Sequence, residues 1–349
     1  MAQPSPGSHV VPLVIIAAVV AIAAGAFAYT AGWLSPDRLT SARLVAALAP
    51  ASGPALGHRR NHAKGICFTG QFEANGKGTE LSRAKVFVAG TYPVVGRFNF
   101  STTDPNAPDA TSRVRGMGLQ IATPSGDVWR SAMIDPPFFP VATPEAFYDL
   151  LRASASKEPD AMKNFAAAHP EIAAFGAWAA SAPWMGSYAE EPYNSLNAFL
   201  FIDPAGRAHA VRWSLIPQAA PMPMAADAFA KLGPDHLAQE IAERVGKGPQ
   251  SWTMVITVAG PGDPTADPSK AWPDGRRKVE VGTLTVQQIQ PERDGPCRDI
   301  NFDPTILPDG ITVSDDPFPA ARSAAYAKSF DARTAEEKDY PRGDAGAQP

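Results

Sequence analysis

Proline is the residue that most constrains this chain. It fills 36 of the 349 positions, with glycine at a further 28. Proline has no backbone N–H to give and clashes inside a helix, so the chain must be built mainly from short elements, turns and fixed loops. The segments between the prolines read that way. Ile66–Phe72 alternates apolar and polar residues, and Ala84–Ala89 and Val94–Phe100 follow as strand patterns. Gly116–Ile121 and Val128–Met133 flank the turn Pro124-Ser-Gly-Asp127. Asn197–Ile202 and Ala208–Ile216 flank Asp203-Pro-Ala-Gly206, and Ser251–Val258 and Lys278–Gln288 close the series. Short strands punctuated by turn signals predict an antiparallel barrel or sandwich. Helices enter as additions. Thr143 caps a helix with Pro144 at its first position, Ala161–Ala180 is helical with a break at His169-Pro170, and Met224–Val245 reads as a further helix.

A different constraint governs the N-terminus. No residue from Val10 to Leu34 is charged, and a helix of about 20 apolar residues crosses the hydrocarbon layer. Tyr29 and Trp33 stand at its far end, where an aromatic belt forms. A cleaved signal peptide competes with this reading. The small residues Ala24-Gly-Ala26 suit cleavage, whereas the absence of Lys and Arg from residues 1–9 argues for an uncleaved anchor. Residues 1–35 are therefore expected as an anchor or signal segment. Residues 36–57 follow as an amphipathic stretch and linker, with Leu39, Leu44, Val45 and Leu48 at near-helical spacing behind Ser35-Pro36. The tail from Ala335 to Pro349 is polar and expected to fray.

The function classes narrow by exclusion. A net charge of −4 leaves no basic excess for a phosphate backbone, so no nucleic-acid partner is expected. G-x-S-x-G, H-E-x-x-H, Walker and C-x-x-C motifs are all absent. Two cysteines, Cys67 and Cys297, are too few for a zinc cluster or a dense disulfide framework. The sequence leaves open whether they pair, and Cys67, in a strand pattern, is expected as a buried thiol.

Several segments then fall into one order. Arg59-Arg-Asn-His-Ala-Lys-Gly65, followed by Gly70-Gln-Phe-Glu73, resembles the haem catalases, whose R-x-x-H-A-K-G segment carries the distal histidine. Val95-Gly-Arg-Phe98 looks like the family's next strand, and Arg115-Gly-Met-Gly-Leu-Gln120 is similar to its R-G-F-A-V-K strand. Ala132–Pro140 occupies the place of the distal asparagine segment. Asn197–Gly206 resembles the family hairpin, Ile300–Gly310 resembles its F-D-P-S-x-x-P-G-I turn, and Arg322-Ser-Ala-Ala-Tyr326 matches the R-x-x-x-Y of the proximal helix. The ordered succession covers residues 59–333 and most resembles the small catalase-related peroxidases, or minicatalases.

That resemblance implies an α+β fold: an antiparallel catalase-like barrel with flanking helices over residues 58–334, holding haem b and its iron. His62 takes the place of the distal base, and a neutral imidazole suits proton transfer near pH 7. Tyr326 takes the place of the iron ligand. A phenol titrates near pH 10, and Arg322, one helical turn before it, would help it stay ionised. Arg59, Arg97 and Arg333 are the expected partners of the haem propionates, and Phe98, Phe138 and Phe139 the expected walls. Two positions depart from the family. Asn99 stands where a serine often fixes the distal histidine, and its carbonyl would do the same work. Ile134 stands at the distal asparagine, with Asp135 beside it; isoleucine cannot hydrogen-bond peroxide, so disproportionation should be weak or absent. The expected activity is a peroxidase, an oxidoreductase taking hydrogen peroxide or an organic peroxide and a small-molecule reductant. Rearrangement of lipid hydroperoxides, and a non-catalytic haem carrier or sensor, are the alternatives. The resemblance favours export, with the body in the periplasm and attached to the membrane through the N-terminal helix. Arg38 and Arg43 argue weakly for the opposite side. The oligomeric state is left open.

Overall fold

The computed structural model describes residues 10–31, 33–35, 38–50 and 52–343. Its first helix, α1 (Val10–Thr30), is apolar and buries no residue against the rest of the chain. Among the described residues it is the one helix long and apolar enough to cross a membrane, by length and composition. The amphipathic stretch then forms α2 (Ser41–Ala47). Thr40, not Ser35-Pro36, starts it: the Thr40 hydroxyl accepts from the Arg43 amide at 3.2 Å, which satisfies an orphan donor of the first turn. Pro36 and Asp37, and Ala51 of the linker, lie outside the described residues.

The body is built on one antiparallel sheet. Its strands are β1 (Gly65–Ala74), β2 (Gly90–Phe100), β3 (Arg115–Ala122) and β4 (Val128–Ile134), then β6 (Tyr193–Asn194), β7 (Phe199–Ile202), β8 (Ala208–Pro217), β10 (Gln250–Val258), β11 (Lys278–Pro291) and β12 (Ile311–Val313). A separate two-stranded ribbon pairs β5 (Trp184–Met185) with β9 (Pro223–Met224). Because β8 pairs with β6 on one side and with β10 on the other, β1–β4, β6, β8, β10 and β11 close into a barrel. The barrel interior is aromatic: Phe98 stacks on Tyr188 at 5.2 Å and leans on Trp252 at 5.7 Å.

Three segments differ from the sequence reading. Ala84–Ala89 is not a strand but a 3₁₀ turn at Lys85–Phe87, because Val86 and Phe87 are both buried as consecutive residues rather than alternating. Met224–Val245 splits into α6 (Ala226–Phe229) and α7 (His236–Lys247) around Gly233-Pro234, which cannot continue a helix. The end of the chain is held rather than frayed as far as it is described. Glu336 accepts from Arg60 at 2.5 Å and from the Gly57 amide at 3.0 Å, and the Tyr340 ring lies 4.0 Å from His58. Residues 344–349 lie outside the described residues.

Cys67 and Cys297 form a disulfide with Cα atoms 5.4 Å apart, so Cys67 is not a thiol. The register explains this. Cys67 is paired with Arg97 and therefore shares its face of the sheet. The chain leaving β11 folds back over that face and brings Cys297 onto it, beside Phe302.

The helices cover one side of the barrel. α3 (Pro144–Ala155) starts as expected, with Thr143 accepting from the Ala146 amide at 3.1 Å. α4 (Ala161–Ala168) and α5 (Ile172–Ser181) follow, broken at His169-Pro170. Val141, Ala146, Phe165 and Phe318 seat α3 and α4 against α8 (Phe318–Ala335).

Candidate active site

The turn that enters β1 carries the first half of the site. His62 has a left-handed backbone, φ +55°, a conformation that costs an L-residue energy and that clusters at functional sites. Hydrogen bonds hold it there. The Asn61 Oδ1 accepts from the His62 amide at 2.8 Å, the Ala63 amide donates to the Thr102 carbonyl at 2.8 Å, and Arg97 donates from Nη1 to the His62 carbonyl at 2.8 Å. Gly65 is required next to this clasp, since a Cβ there would stand 2.5 Å from the Arg97 Cζ. Leu196, φ +59°, is the other non-glycine residue with a left-handed backbone among the described residues, and it lines the same cavity as His62.

His62 is half-buried, and its Nδ1 is buried with no hydrogen-bond partner. Burial first, and the Arg97 charge second, push its pKa down to about 4, so the imidazole is neutral at ordinary pH. Asn99 acts in the opposite direction on the imidazole without closing a bond to Nδ1. Its Nδ2 donates to the Arg97 carbonyl at 3.3 Å. Lys64 turns away from the cavity: its ammonium pairs with Asp109 at 2.9 Å and Asp235 at 2.7 Å.

α8 carries the second half. It runs through Arg322, Tyr326 and Arg333, and all three line the cavity. Arg322 donates to the Tyr326 hydroxyl at 3.1 Å and to the Ala132 carbonyl at 2.8 Å. Its other end is fixed by a relay that the sequence did not announce. Asn197 Oδ1 accepts from Arg322 at 2.6 Å, Asn197 donates to Asp316 at 2.9 Å, and Asp316 caps α8 by accepting from the Phe318 amide at 2.9 Å. A hairpin strand's leading asparagine and a helix cap thus orient one arginine. Only their flanking positions to known motifs hinted at it.

Arg59 and Arg97 meet at Glu292. Arg97 donates to both its oxygens at 2.7 Å, and Arg59 reaches Oε1 at 3.2 Å. Arg59 also donates from Nη2 to the carbonyls of Cys297 and Ile300, each at 3.0 Å. Burial and the neighbouring Arg97 push the Arg59 pKa down to about 9, the mark of crowded cations. Arg333 is buried with an unpartnered Nη2.

His62, Asn99, Arg59, Arg97, Arg322, Arg333, Tyr326 and Phe139 therefore line one cavity. Phe98 does not. It points into the barrel, so its expected place at the cavity wall is corrected, and Phe138 is likewise outside the lining. Ile134 does line the cavity, and Asp135 does not, because Arg113 and the Arg115 amide hold its carboxylate at 2.7 and 2.6 Å. Leu44 and Val45 of α2, Leu48 just after it, Phe147 and Phe175 give the cavity an apolar stretch of wall.

A family model described as catalase matches residues 26–339. A catalase-related peroxidase of Synechococcus elongatus is 36% identical over 331 residues, covering 93% of this chain and 95% of that protein. A second catalase-related peroxidase, from Mycolicibacterium paratuberculosis, is 32% identical over 306 residues, covering 87% of this chain and 96% of its own. Among solved structures, a bacterial catalase shares the fold with a TM-score of 0.71 at 20% identity, covering 84% of this chain. The chain spans about 60% of the length of the solved catalases it matches.

Proposed function

The chain belongs to the catalase family, and from that premise we propose that it is a haem peroxidase with weak or absent catalase activity, reducing hydrogen peroxide or organic peroxides with an external small-molecule donor. The gathering of His62, Tyr326 and five arginines around one cavity carries this reading. The charges fit haem b. Arg59 and Arg97 share one carboxylate, Glu292, whose charge also reaches Arg333, so cations outnumber the buried carboxylate and positive charge is left for the propionates. The unpartnered Arg333 Nη2 is a donor in want of such an acceptor.

Tyr326 would hold the iron through its hydroxyl oxygen, and Arg322, fixed by Asn197 and Ala132, would stabilise that oxygen as an anion. Bound there, haem supplies the metal centre at which the peroxide O–O bond is cleaved. The neutral His62 accepts a proton from the incoming peroxide and returns it to the departing oxygen, which leaves as water. With haem bound, the Asn99 carbonyl would accept a hydrogen bond from Nδ1–H, a bond not closed in this structure, and so leave Nε2 as the base. Ile134 offers peroxide no hydrogen bond, so orientation of the second peroxide needed for disproportionation lacks a partner, and reduction by an outside donor takes its place.

Residues 58–334 would form the haem domain, with 1–35 as a membrane anchor or signal segment, 36–57 joining the two and 335–349 as the tail. The disulfide supports an exported, periplasmic body, because such bonds persist in oxidising compartments. The apolar wall from α2 and α5 favours a second reading for the substrate, a lipid hydroperoxide that is rearranged rather than reduced. Products formed from a fatty-acid hydroperoxide with and without a donor separate the two.

The deciding experiment is the absorption spectrum of the full chain, purified in detergent after expression with haem supply, for wild type and Tyr326→Phe. A high-spin ferric tyrosinate Soret band, lost or shifted in the variant, is expected. A folded wild type without any Soret band refutes the proposal. His62→Ala should keep haem and lose its reaction with peroxide, and intact turnover there removes His62 from the role of base.

A further inference from the structure

The cavity has two chemically different ends. His62, Arg97 and Asn99 make one of them polar. The other is lined by Leu44, Val45 and Leu48 and by the rings of Phe139, Phe147 and Phe318. The Phe139 ring lies 5.3 Å from Phe147 and 4.9 Å from Phe318, so this end joins an aromatic cluster to an aliphatic wall. α2 packs on α8 and α3 and is thus part of the body. It is also bound to the end of α1, the helix long and apolar enough to cross a membrane. Arg38 donates from Nη1 to the Tyr29 and Thr30 carbonyls at 3.0 and 3.2 Å, and its guanidinium lies 5.7 Å from the centre of the Tyr29 ring. Arg43, in the first turn of α2, donates from Nη1 to the Arg38 carbonyl at 2.9 Å and rests 5.2 Å from the Tyr148 ring of α3. Trp33 and Leu34 are exposed beside them, and aromatic and basic side chains of this kind gather at a lipid–water boundary. Residues 31–40 and two arginines therefore join the end of α1 to the apolar end of the cavity.

We propose that the apolar end of the cavity, walled by α2, is the docking site of a lipid-soluble hydroquinone that serves as the electron donor, and that Val45 and Leu48 determine specificity for it. The proposal rests on the peroxidase reading and names the donor which that reading leaves open. Three features of the wall select this class. The phenylalanines suit a planar ring. The aliphatic side chains of α2 suit an apolar tail. The tie to α1 places the wall beside a bilayer, where a tailed hydroquinone dissolves. The step balances: the hydroquinone loses two electrons and its two O–H protons and becomes the quinone, while the O–O bond of hydrogen peroxide breaks, takes them up and leaves two waters. A donor without a tail gains little from α2, because each methylene withdrawn from water is worth about fourfold in affinity.

The test uses the full chain in phosphatidylcholine nanodiscs. In the first arm an aryl-azide derivative of decylubiquinone is photolysed with the protein, and labelled peptides are mapped by mass spectrometry. Label on residues 44–48 and 139–147, displaced by excess decylubiquinol, is expected. Label confined to α1 overturns the proposal. Displacement by a hydroxyoctadecadienoic acid and not by decylubiquinol overturns it too, since the wall then serves the tail of an acyl hydroperoxide. In the second arm haem-loaded protein receives hydrogen peroxide with decylubiquinol, or with the same hydroquinone ring lacking the tail. One quinone should form per peroxide consumed, and kcat/KM should be about tenfold or more higher for the tailed donor. In Val45→Asn with Leu48→Asn the ratio of the two constants should fall about tenfold, and Val45→Ile with Leu48→Met should keep it. A ratio that the asparagine pair leaves unmoved overturns the proposal. If that variant does not fold, the labelling pattern of the wild type decides. A wild type that takes up no haem refutes the peroxidase reading instead, and the labelling then decides the docking site alone.

Discussion

Breaking the Cys67–Cys297 bond should lower stability more than any single substitution in the cavity. The bond joins residues 230 positions apart, and closing so long a loop removes much of the unfolded chain's freedom. The chain-entropy relation gives about 5 kcal/mol for a loop of that length. A body of about 300 residues unfolds with an entropy near 0.6 kcal/mol/K, so the expected fall in Tm is about 8 °C. Two perturbations separate this effect from packing. Reduction leaves both sulfurs in place beside Phe302, whereas Cys67→Ala with Cys297→Ala also leaves a void at two fully buried positions, worth about another 1 kcal/mol or more. Calorimetry of oxidised, reduced and doubly substituted protein, with thiols counted after reduction, should therefore rank the three in that order. The loss should also reach the site, because the Cys297 carbonyl accepts from Arg59. Full release of both thiols with a Tm change under about 2 °C would refute the reasoning, since the loop would then be held without its covalent tie.

Three further outcomes follow from the buried charges and the cavity. Burial sets the His62 pKa near 4, so the peroxide rate constant should stay level down to about pH 5, and an acid limb near 6.5 in stopped-flow data would contradict its burial; the same shift means that the unfolded chain binds a proton that the folded chain refuses, so stability drains away as pH falls from 6.5 towards 4. Asp135 and Glu191 share Arg113, and burial raises the Glu191 carboxyl to about 8; here the folded state binds the extra proton, so stability falls as pH rises through that range, and Glu191→Gln should gain Tm over wild type at pH 8 but not at pH 5, equal gains at both being the contrary result. Ile134→Asn puts an amide into the cavity lining, and oxygen release from hydrogen peroxide should rise about tenfold, an unchanged rate showing that position 134 does not limit disproportionation.

Much of this arrangement is legible in the sequence, and the part that is not has a common cause. The strands of the barrel announce themselves by alternation, a local signal, and α8 through the likeness of Arg322-Ser-Ala-Ala-Tyr326 to the family's R-x-x-x-Y segment. Contacts between distant segments leave no such trace. Asp316 and Glu292 look like ordinary loop residues, and Asn197 only like the start of a hairpin strand, until the fold brings them onto Arg322 and Arg97. β6 and β12, of two and three residues, are too short to show a period.

Phe98 is a different case, since local reasoning was sufficient for it. Side chains along a strand alternate between faces, so Arg97 and Asn99 must share one face of β2 and Phe98 must take the other. Arg97 and Asn99 line the cavity, and Phe98 packs in the barrel against Tyr188 and Trp252. The same parity places Cys67, paired with Arg97, on the cavity side of β1 rather than in the aromatic interior. Interior positions mostly pack, with an occasional hydrogen bond such as that from the Trp213 indole to Ser131 at 3.0 Å, whereas the outer face is covered by loops and helices that bring partners from far along the chain. That division puts the arginine, the asparagine and the disulfide on one side of the sheet and the aromatic stack on the other, so a polar substitution at Phe98 should harm folding before it harms chemistry.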